Sequence, residues 1–360
     1  MSLIRHDQAG EIRSGEQPDY DAIESYLRAH NAELEGEMKI QQFGGGASNL
    51  TYLISFDNLE CVMRRPPYGA QIKSAHDMGR EYRVLNALSK HYAKAPKPLH
   101  YEESGTVLGC QFYIMERVHG VILRHKDGSD GSIPPSMVAN IADGLMDTLA
   151  ELHALDYKEV GLGDLGRPEG YVKRQVEGWT KRYMKAKTDE VDSIEFIAKW
   201  LAQEMPAETH ASVIHNDYKH DNLVLNEDHL SEVKAILDWE MCTIGDPLMD
   251  MGTVLSYWIN PEDHPALKKN FPNPSALPGN PNRSQLLALY ESKTGRSMDN
   301  PVFYYAFGLF KTAVILQQIY ARFKLGHTND ERFANFDQAV QAFGLMGQQA
   351  IQKNQLDDLF

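Results

Sequence analysis

The run Ile214-His215-Asn216-Asp217-Tyr218-Lys219-His220-Asp221-Asn222-Leu223 constrains this chain more than any other part of it. It reads H-x-D-x-x-x-x-N and lies between two short apolar runs, Ser212–Ile214 and Leu223–Leu225. Sixteen residues after Asn222, a third apolar run, Ala235–Leu237, ends in Asp238-Trp239-Glu240. Short strands on either side of a polar loop hold its side chains rigidly. Phosphoryl transfer needs one carboxylate to orient the attacking hydroxyl and accept its proton. It also needs an oxygen ligand and a further carboxylate to hold Mg²⁺ against the β- and γ-phosphates. Asp217, Asn222 and Asp238 supply that set. Mg²⁺ takes few protein carboxylates and completes its shell with phosphate and water, and the inventory matches. The plainer alternative is an acidic surface loop with a helix cap. His215 has no histidine at i+4 and is expected to pack under the loop and fix its shape by a hydrogen bond; His220 is expected to be solvated.

Upstream, the pattern is that of strands. The first 20 residues are polar and read as a loose arm, and Asp21–His30 as a short amphipathic helix. Met38–Phe43, Asn49–Phe56 and Cys61–Arg64 follow as strands, with Leu50, Tyr52, Ile54 and Phe56 on one face. Pro66-Pro67 ends the third. Residues 75–90 have helical spacing through Met78, Tyr82, Leu85 and Leu88. Strands are expected near Pro98–Glu102 and Gln111–Arg117. After Gly120 the character is helical: Met137–Leu155, 169–187, 191–204, Asp250–Trp258, Ser284–Lys293, Val302–Phe323 and Glu331–Lys353. Residues 260–283 hold six of the 17 prolines and read as structureless. The class is α+β, with an N-terminal arm and helix over 1–34, a mainly antiparallel β lobe over 35–118 and a helical lobe over 119–360.

Two features of the β lobe bear on chemistry. The glycine run Gly44-Gly45-Gly46, continued by Ala47, Ser48 and Asn49, joins two strands. Glycines let a backbone bring its N–H groups close to phosphate oxygens. A plain strand–glycine–strand hairpin reads the same way, and no Gly-Lys-Ser/Thr follows to make a Walker A loop. Arg64 closes the third strand and Glu81 lies on the following helix. A cation steered by a helix carboxylate is how a kinase-type site aims positive charge at phosphates, although a surface ion pair has the same spelling. Arg65 is the rival to Arg64. Strand alternation allows only one of them to face the cleft, and Arg65, against Pro66, is expected to point outward.

Composition narrows the class of partner. The net charge is −14, which excludes a broad basic face for nucleic acid. Within residues 61–100, however, eight Lys/Arg face two acids, a positive island suited to a phosphate-bearing ligand or to a solvated helix face. The three cysteines lie far apart without metal spacing, and the first twenty residues have no apolar core of a signal peptide. Together these read as cytoplasmic. Val302–Leu316 is interrupted by Lys311 and reads as a buried helix, not a bilayer span.

The order of glycine hairpin, strand cation, helix Glu, H-x-D-x-x-x-x-N and Asp resembles the protein-kinase-like fold, and in detail the aminoglycoside phosphotransferase family. Tyr113–Gly120, Leu149–Leu155 and Gly245–Gly252 carry the likeness. Met63-Arg64-Arg65-Pro66-Pro67 and Ala75–Tyr82 look closest to the kinase-like domains fused to some acyl-CoA dehydrogenases. The resemblance covers about residues 35–350. It implies a bilobal fold and an ATP- and Mg²⁺-dependent phosphotransferase acting on a small-molecule hydroxyl, with no nucleic-acid or membrane partner. It further implies Asp217 as the catalytic base, Lys219 as a contact to the γ-phosphate, and Asn222 and Asp238 as magnesium ligands. Gly44–Asn49 would cover the nucleotide, the backbone at Glu116 and Val118 would hold the adenine, Glu81 would bridge the lobes and Asp250 would brace the loop. Two departures stand out: Arg64 where lysine is usual, and Trp239-Glu240 after the magnesium acid. The acceptor is left between a metabolite such as a hydroxyacyl-CoA, favoured by the island and the dehydrogenase likeness, and a polycationic antibiotic. A catalytically silent nucleotide- or metabolite-binding scaffold is the alternative function.

Overall fold

The computed structural model describes residues 8–44, 49–68, 77–124, 127–208, 210–271, 273–328 and 330–360. After α1 (Tyr20–His30), five strands form one antiparallel sheet: β1 (Lys39–Gln42), β2 (Leu50–Ser55), β3 (Glu60–Arg65), β4 (Pro98–Glu102) and β5 (Phe112–Glu116), in the order β1-β2-β3-β5-β4. Helix α2 (Met78–Leu88) enters between β3 and β4 and is capped by Asp77, whose carboxylate accepts from Arg80 N at 2.9 Å.

Strand alternation sorts the sheet into two faces. Tyr52, Ile54, Cys61, Met63, Phe112 and Ile114 pack with Ile23 and Leu27 of α1. Leu53, Val62, Tyr113 and Met115 face the larger core with Val84, Leu85 and Leu88 of α2. The arm is less loose than its polarity implies. Gly10 bridges to Gln42, and Tyr52 donates its hydroxyl to Glu16 O at 2.6 Å.

The second lobe is built on α3 (Pro135–Ala154), α4 (Tyr171–Ala186), α5 (Asp192–Gln203), α6 (Pro247–Tyr257), α7 (Pro265–Asn270), α8 (Arg283–Thr294), α9 (Pro301–Lys324) and α10 (Phe336–Lys353). Four short strands lie against it: β6 (Ser212–Ile214) pairs with β9 (Thr243–Gly245), and β7 (Leu223–Leu225) with β8 (Val233–Ile236). Helices α6 and α9 approach closely because Gly252 and Gly308 face each other's helices. A Cβ on Gly252 would collide with the Tyr304 carbonyl, and one on Gly308 with the Gly252 carbonyl. Helix α9 is long and apolar enough to cross a bilayer, yet most of it is buried inside the protein. Among its described residues the proline-rich segment is ordered rather than structureless. It contains α7, a 3₁₀ turn at Pro274–Ala276 and a buried ion pair between Asp263 and Arg283.

Candidate active site

The H-x-D-x-x-x-x-N loop runs from β6 to β7, and one carboxylate on α6 sets its shape. Asp250 accepts from His215 N at 2.7 Å and from Asn216 N at 2.8 Å, using both oxygens. Asn216 sits in the left-handed region, φ 66°, a strained conformation that those bonds hold in place. Asp250 also meets His153 Nε2 at 3.2 Å, and His153 Nδ1 meets the Tyr290 hydroxyl at 2.8 Å. Burial works to raise the Asp250 pKa, but the His153 bond and charge outweigh it and hold the carboxyl below its usual range.

His215 packs under the loop as its sequence context predicts. Its Nε2 lies 2.9 Å from Leu237 O, while Asp217 N donates to its Nδ1 at 3.2 Å. A carbonyl can only accept and an amide N–H can only donate, so the ring is neutral with its proton on Nε2. Burial pushes its pKa down, which favours that state. His220 departs from expectation. It is buried and stacked on Trp258 at 5.2 Å, and burial pushes its pKa down to about 4. The 3₁₀ turn at His220–Asn222 swings its ring inward between the loop and α6.

Asp217 is the most densely served carboxylate here. Tyr257 donates to Oδ1 at 2.7 Å and Asn222 Nδ2 to Oδ2 at 2.8 Å, and Lys219 Nζ lies 3.0 Å from Oδ2. Burial opposes its ionisation. Lys219 and then the Tyr257 hydroxyl outweigh that and hold the carboxyl below its usual range, so it is a carboxylate at neutral pH. Asn222 Nδ2 also donates to Asp217 O at 2.9 Å, which orients the Asn222 amide oxygen away from Asp217. Leu237 N donates to Asn222 O at 2.8 Å and ties this loop to the segment carrying Asp238.

Asp238 also has a positive φ, 65°. Arg64 links it to α2: Nη1 bonds Glu81 Oε1 at 2.7 Å and Nη2 bonds Asp238 Oδ1 at 3.0 Å. Arg64 is opposite Thr51 and Tyr113 in the sheet, on the face turned toward the second lobe. Burial works against its charge, but Glu81 and then Asp238 keep it firmly protonated. Its Nε and Glu81 Oε2 are buried without a hydrogen-bond partner among the described residues. Arg65 lies on the opposite face as alternation requires, yet it is buried instead of solvent-facing. Its guanidinium stacks over Tyr68 at 3.9 Å, and Tyr68 in turn donates to Gln17 O, so the arm covers it.

Two cavities flank this centre. The first lies between the lobes and is lined by Phe43, Val62, Arg64, Met115, Glu116, Val118, Asn222 and Asp238, with Leu237 and Val224 as floor. Arg64, Glu116, Val118, Asn222 and Asp238 therefore meet in one cleft. Glu116 N is occupied by Lys97 O at 2.9 Å, so a backbone donor there has to come from beyond it. Of the glycine run, Gly44 is a turn residue, and the buried Asn49 donates to Glu240 Oε2 at 2.8 Å. Gly45, Gly46, Ala47 and Ser48 lie outside the described residues. The second cavity, of about 430 Å³, lies on the other side of Asn216 and Glu240 against α4.

Three residues at the centre were not assigned to the site from the sequence. Tyr257 is seven residues after Asp250, so both lie on one face of α6, a spacing that could have revealed it. Lys311, the cation interrupting α9, donates to Asn216 O at 2.6 Å. Glu240 stands 3.9 Å from Arg64 and holds Asn49, which gives the Trp-Glu pair after Asp238 a place in the centre.

Residues 39–272 match the phosphotransferase enzyme family. The chain belongs to that family. It is 32% identical to a Ralstonia eutropha structure described as a candidate aminoglycoside phosphotransferase, which it matches over 94% of its own length and 99% of that chain with a TM-score of 0.79. It is 33% identical to mouse acyl-CoA dehydrogenase family member 10, over 86% of its own length but only 29% of that protein's. Cryptosporidium parvum choline kinase has the same fold at 12% identity, covering 93% of this chain and 97% of its own, with a TM-score of 0.62. The bilobal kinase-like fold follows from this membership, and the chain spans less than half the length of the curated relatives it matches.

Proposed function

We propose that the protein transfers the γ-phosphate of ATP to a hydroxyl of a small metabolite. The observation that carries this is the convergence of Asp217, Asn222 and Asp238, joined by the Asn222–Asp217 and Leu237–Asn222 hydrogen bonds. In this reading Asp217 takes the proton of the attacking hydroxyl, a P–O bond forms to the acceptor oxygen, and the Pγ–O bond to ADP breaks with its electrons leaving on ADP. Lys219 reaches the γ-phosphate and Arg64, aimed by Glu81, the α- and β-phosphates. Gly44–Asn49 covers the nucleotide, and the segment at Glu116 and Val118 borders the adenine. Asn222 and Asp238 fit a magnesium ion: they line one cavity, Asn222 turns its amide oxygen away from Asp217, and Asp238 is half-buried with Arg64 as its ion-pair partner among the described residues. Bound there, the ion would neutralise charge on the β- and γ-phosphates. The division into an arm, a nucleotide lobe ending near residue 118 and a catalytic lobe, and a cytoplasmic location, belong to the same reading.

The acceptor we favour is a metabolite carrying its own anionic groups, such as a hydroxyacyl-CoA, over an aminoglycoside. Cations dominate the second cavity, and a polycation would be repelled there. The decisive experiment is ADP release across a panel of hydroxyacyl-CoAs, other hydroxylated metabolites and aminoglycosides, with ATP and Mg²⁺. A second reading, a catalytically silent binding scaffold, is favoured by Arg64 in place of lysine and by its bond to Asp238. It predicts a thermal shift with ATP and no turnover on any acceptor.

A further inference from the structure

The second cavity has a composition foreign to the rest of the chain. In a protein of net charge −14, its walls bring together Arg80 of α2, Arg167, Arg174 and Arg182 of the α4 region, and Lys311 of α9, against one carboxylate, Glu240. Glu240 is already engaged by Arg64 and Asn49. None of the five cations pairs with a carboxylate among the described residues. Arg80 donates to the carbonyls of Leu165 and Cys242, Arg174 to those of Glu169 and Arg167, and Lys311 to that of Asn216. Arg182 lies over the Trp179 ring at 4.6 Å. Five like charges gathered around one cavity without counter-ions give it a positive potential, and such a concentration marks an anion site.

Its position matters as much as its charge. Asn216 forms part of the wall and precedes Asp217 directly, so the two Cα atoms are about 3.8 Å apart. Tyr171 donates to Asn216 Oδ1 at 3.3 Å, and Asn216 Nδ2 donates to Met241 O at 3.2 Å. These bonds, with those of Asp250 and Lys311, fix the cavity wall and the Asp217 loop as one unit. The first cavity, on the Asn222 side, is where a nucleotide fits; the second opens on the Asn216 side. Burial pushes Lys311 down to about 8, so an anion in the cavity would draw it fully into its charged form.

We propose that this second cavity is the acceptor's anchor: it holds an oxyanion, phosphate or carboxylate, that the acceptor carries away from its reacting hydroxyl, with Arg174 and Arg182 as the residues that select for it. This rests on the kinase reading above. Guanidinium groups suit it because their planar fork binds oxyanions bidentately. The anchor sets which molecules place a hydroxyl beside Asp217, and it excludes polycations.

The test uses the full chain with saturating AMP-PNP and Mg²⁺ to close the nucleotide cleft, and calorimetric titration of pyrophosphate and, separately, succinate. Wild type is expected to bind at least one of them, and the stronger binder identifies the anchor as phosphate- or carboxylate-selective. The exposed pair Arg174→Ala/Arg182→Ala is expected to weaken that binding at least tenfold and to leave AMP-PNP affinity within twofold, which also reports that the variant is folded. Absence of binding of both anions to wild type overturns the proposal, as does binding that the double variant leaves intact. If AMP-PNP itself does not bind wild type, the kinase reading fails, and the same comparison run without nucleotide still decides the cavity.

Discussion

Tyr257 donates its hydroxyl to Asp217 Oδ1 at 2.7 Å, and both are placed by α6, since Asp250 on the same helix holds the backbone of the Asp217 loop. The bond favours the ionised carboxyl. Tyr257→Phe removes it, so the Asp217 pKa must rise and the acid limb of the pH–rate profile must move to higher pH. A net hydrogen bond of about 0.5–1.5 kcal/mol corresponds to a loss of about two- to tenfold in kcat, greatest at the acid end. A uniform loss at every pH would mean that Tyr257 only packs.

Asp217→Asn keeps the shape of the loop and removes the proton acceptor. Turnover is expected to fall by about 10²–10⁴, while ATP affinity, measured by calorimetry, stays close to wild type because Asp217 acts on the acceptor. Near-normal turnover on a verified acceptor would place the base elsewhere.

Much of this centre is legible before any coordinates. The H-x-D-x-x-x-x-N run with its trailing Asp names the loop because chemistry fixes both residue types and spacing, and strand alternation puts Arg64 and Arg65 on opposite faces. What could not be read is what long-range packing decides. Nothing near Arg65 announces that Tyr68 and the arm cover it, and nothing near His220 announces Trp258, 38 residues on. Strand β9 has three residues, too few for a pattern, and exists because β6 pairs with it. The basic island over 61–100 is the plainest case. Its described charges disperse in the fold: Arg64 goes to Glu81, Arg83 to Asp164 and Lys94 to Glu151, and among the described residues of the island only Arg80 reaches the second cavity. That cavity's other cations come from α4, its preceding loop and α9, which no local window joins.

Asp238→Ala removes a charge from the wall of the first cavity and one of the two carboxylates hydrogen-bonded to Arg64. Transfer and the magnesium dependence of ATP binding are expected to fall together. Titrating ATP with and without Mg²⁺ checks this, and an unchanged metal dependence would move the ion to other ligands.

Asp246 caps α6 through a 2.8 Å bond from Leu248 N, and its other oxygen is buried without a hydrogen-bond partner among the described residues. Burial, only partly offset by that bond, pushes its pKa up to about 6. The folded pKa lies above the unfolded value of about 3.9, so ionisation is free of cost below about pH 4, costs progressively more up to about pH 6 and costs its full amount above that. Asp246→Asn lacks this cost. Its stability relative to wild type should rise by something on the order of 2 kcal/mol between pH 4 and pH 7, read from denaturant midpoints at both. A pH-independent difference would show that the carboxyl is not perturbed.

Arg64 and Glu81 form a buried pair, and breaking it acts on both binding and stability. Arg64→Ala leaves the Glu81 carboxylate uncompensated in the interior, at a cost of about 3–5 kcal/mol in stability, and raises the ATP requirement sharply. Arg64→Lys should recover only part of the affinity, because a point charge cannot bond Glu81 and Asp238 in the fork that Nη1 and Nη2 now make. Because each residue works through the other, the double substitution with Glu81→Ala should cost less than the two singles added. Arg65→Ala is the control on the other face of β3. It strips a guanidinium from the Tyr68 ring under the arm, so it should lower thermal stability and leave the ATP requirement unchanged. If Arg65→Ala raises the ATP requirement while Arg64→Ala leaves it alone, the phosphate clamp does not reside on the face of β3 that Arg64 occupies.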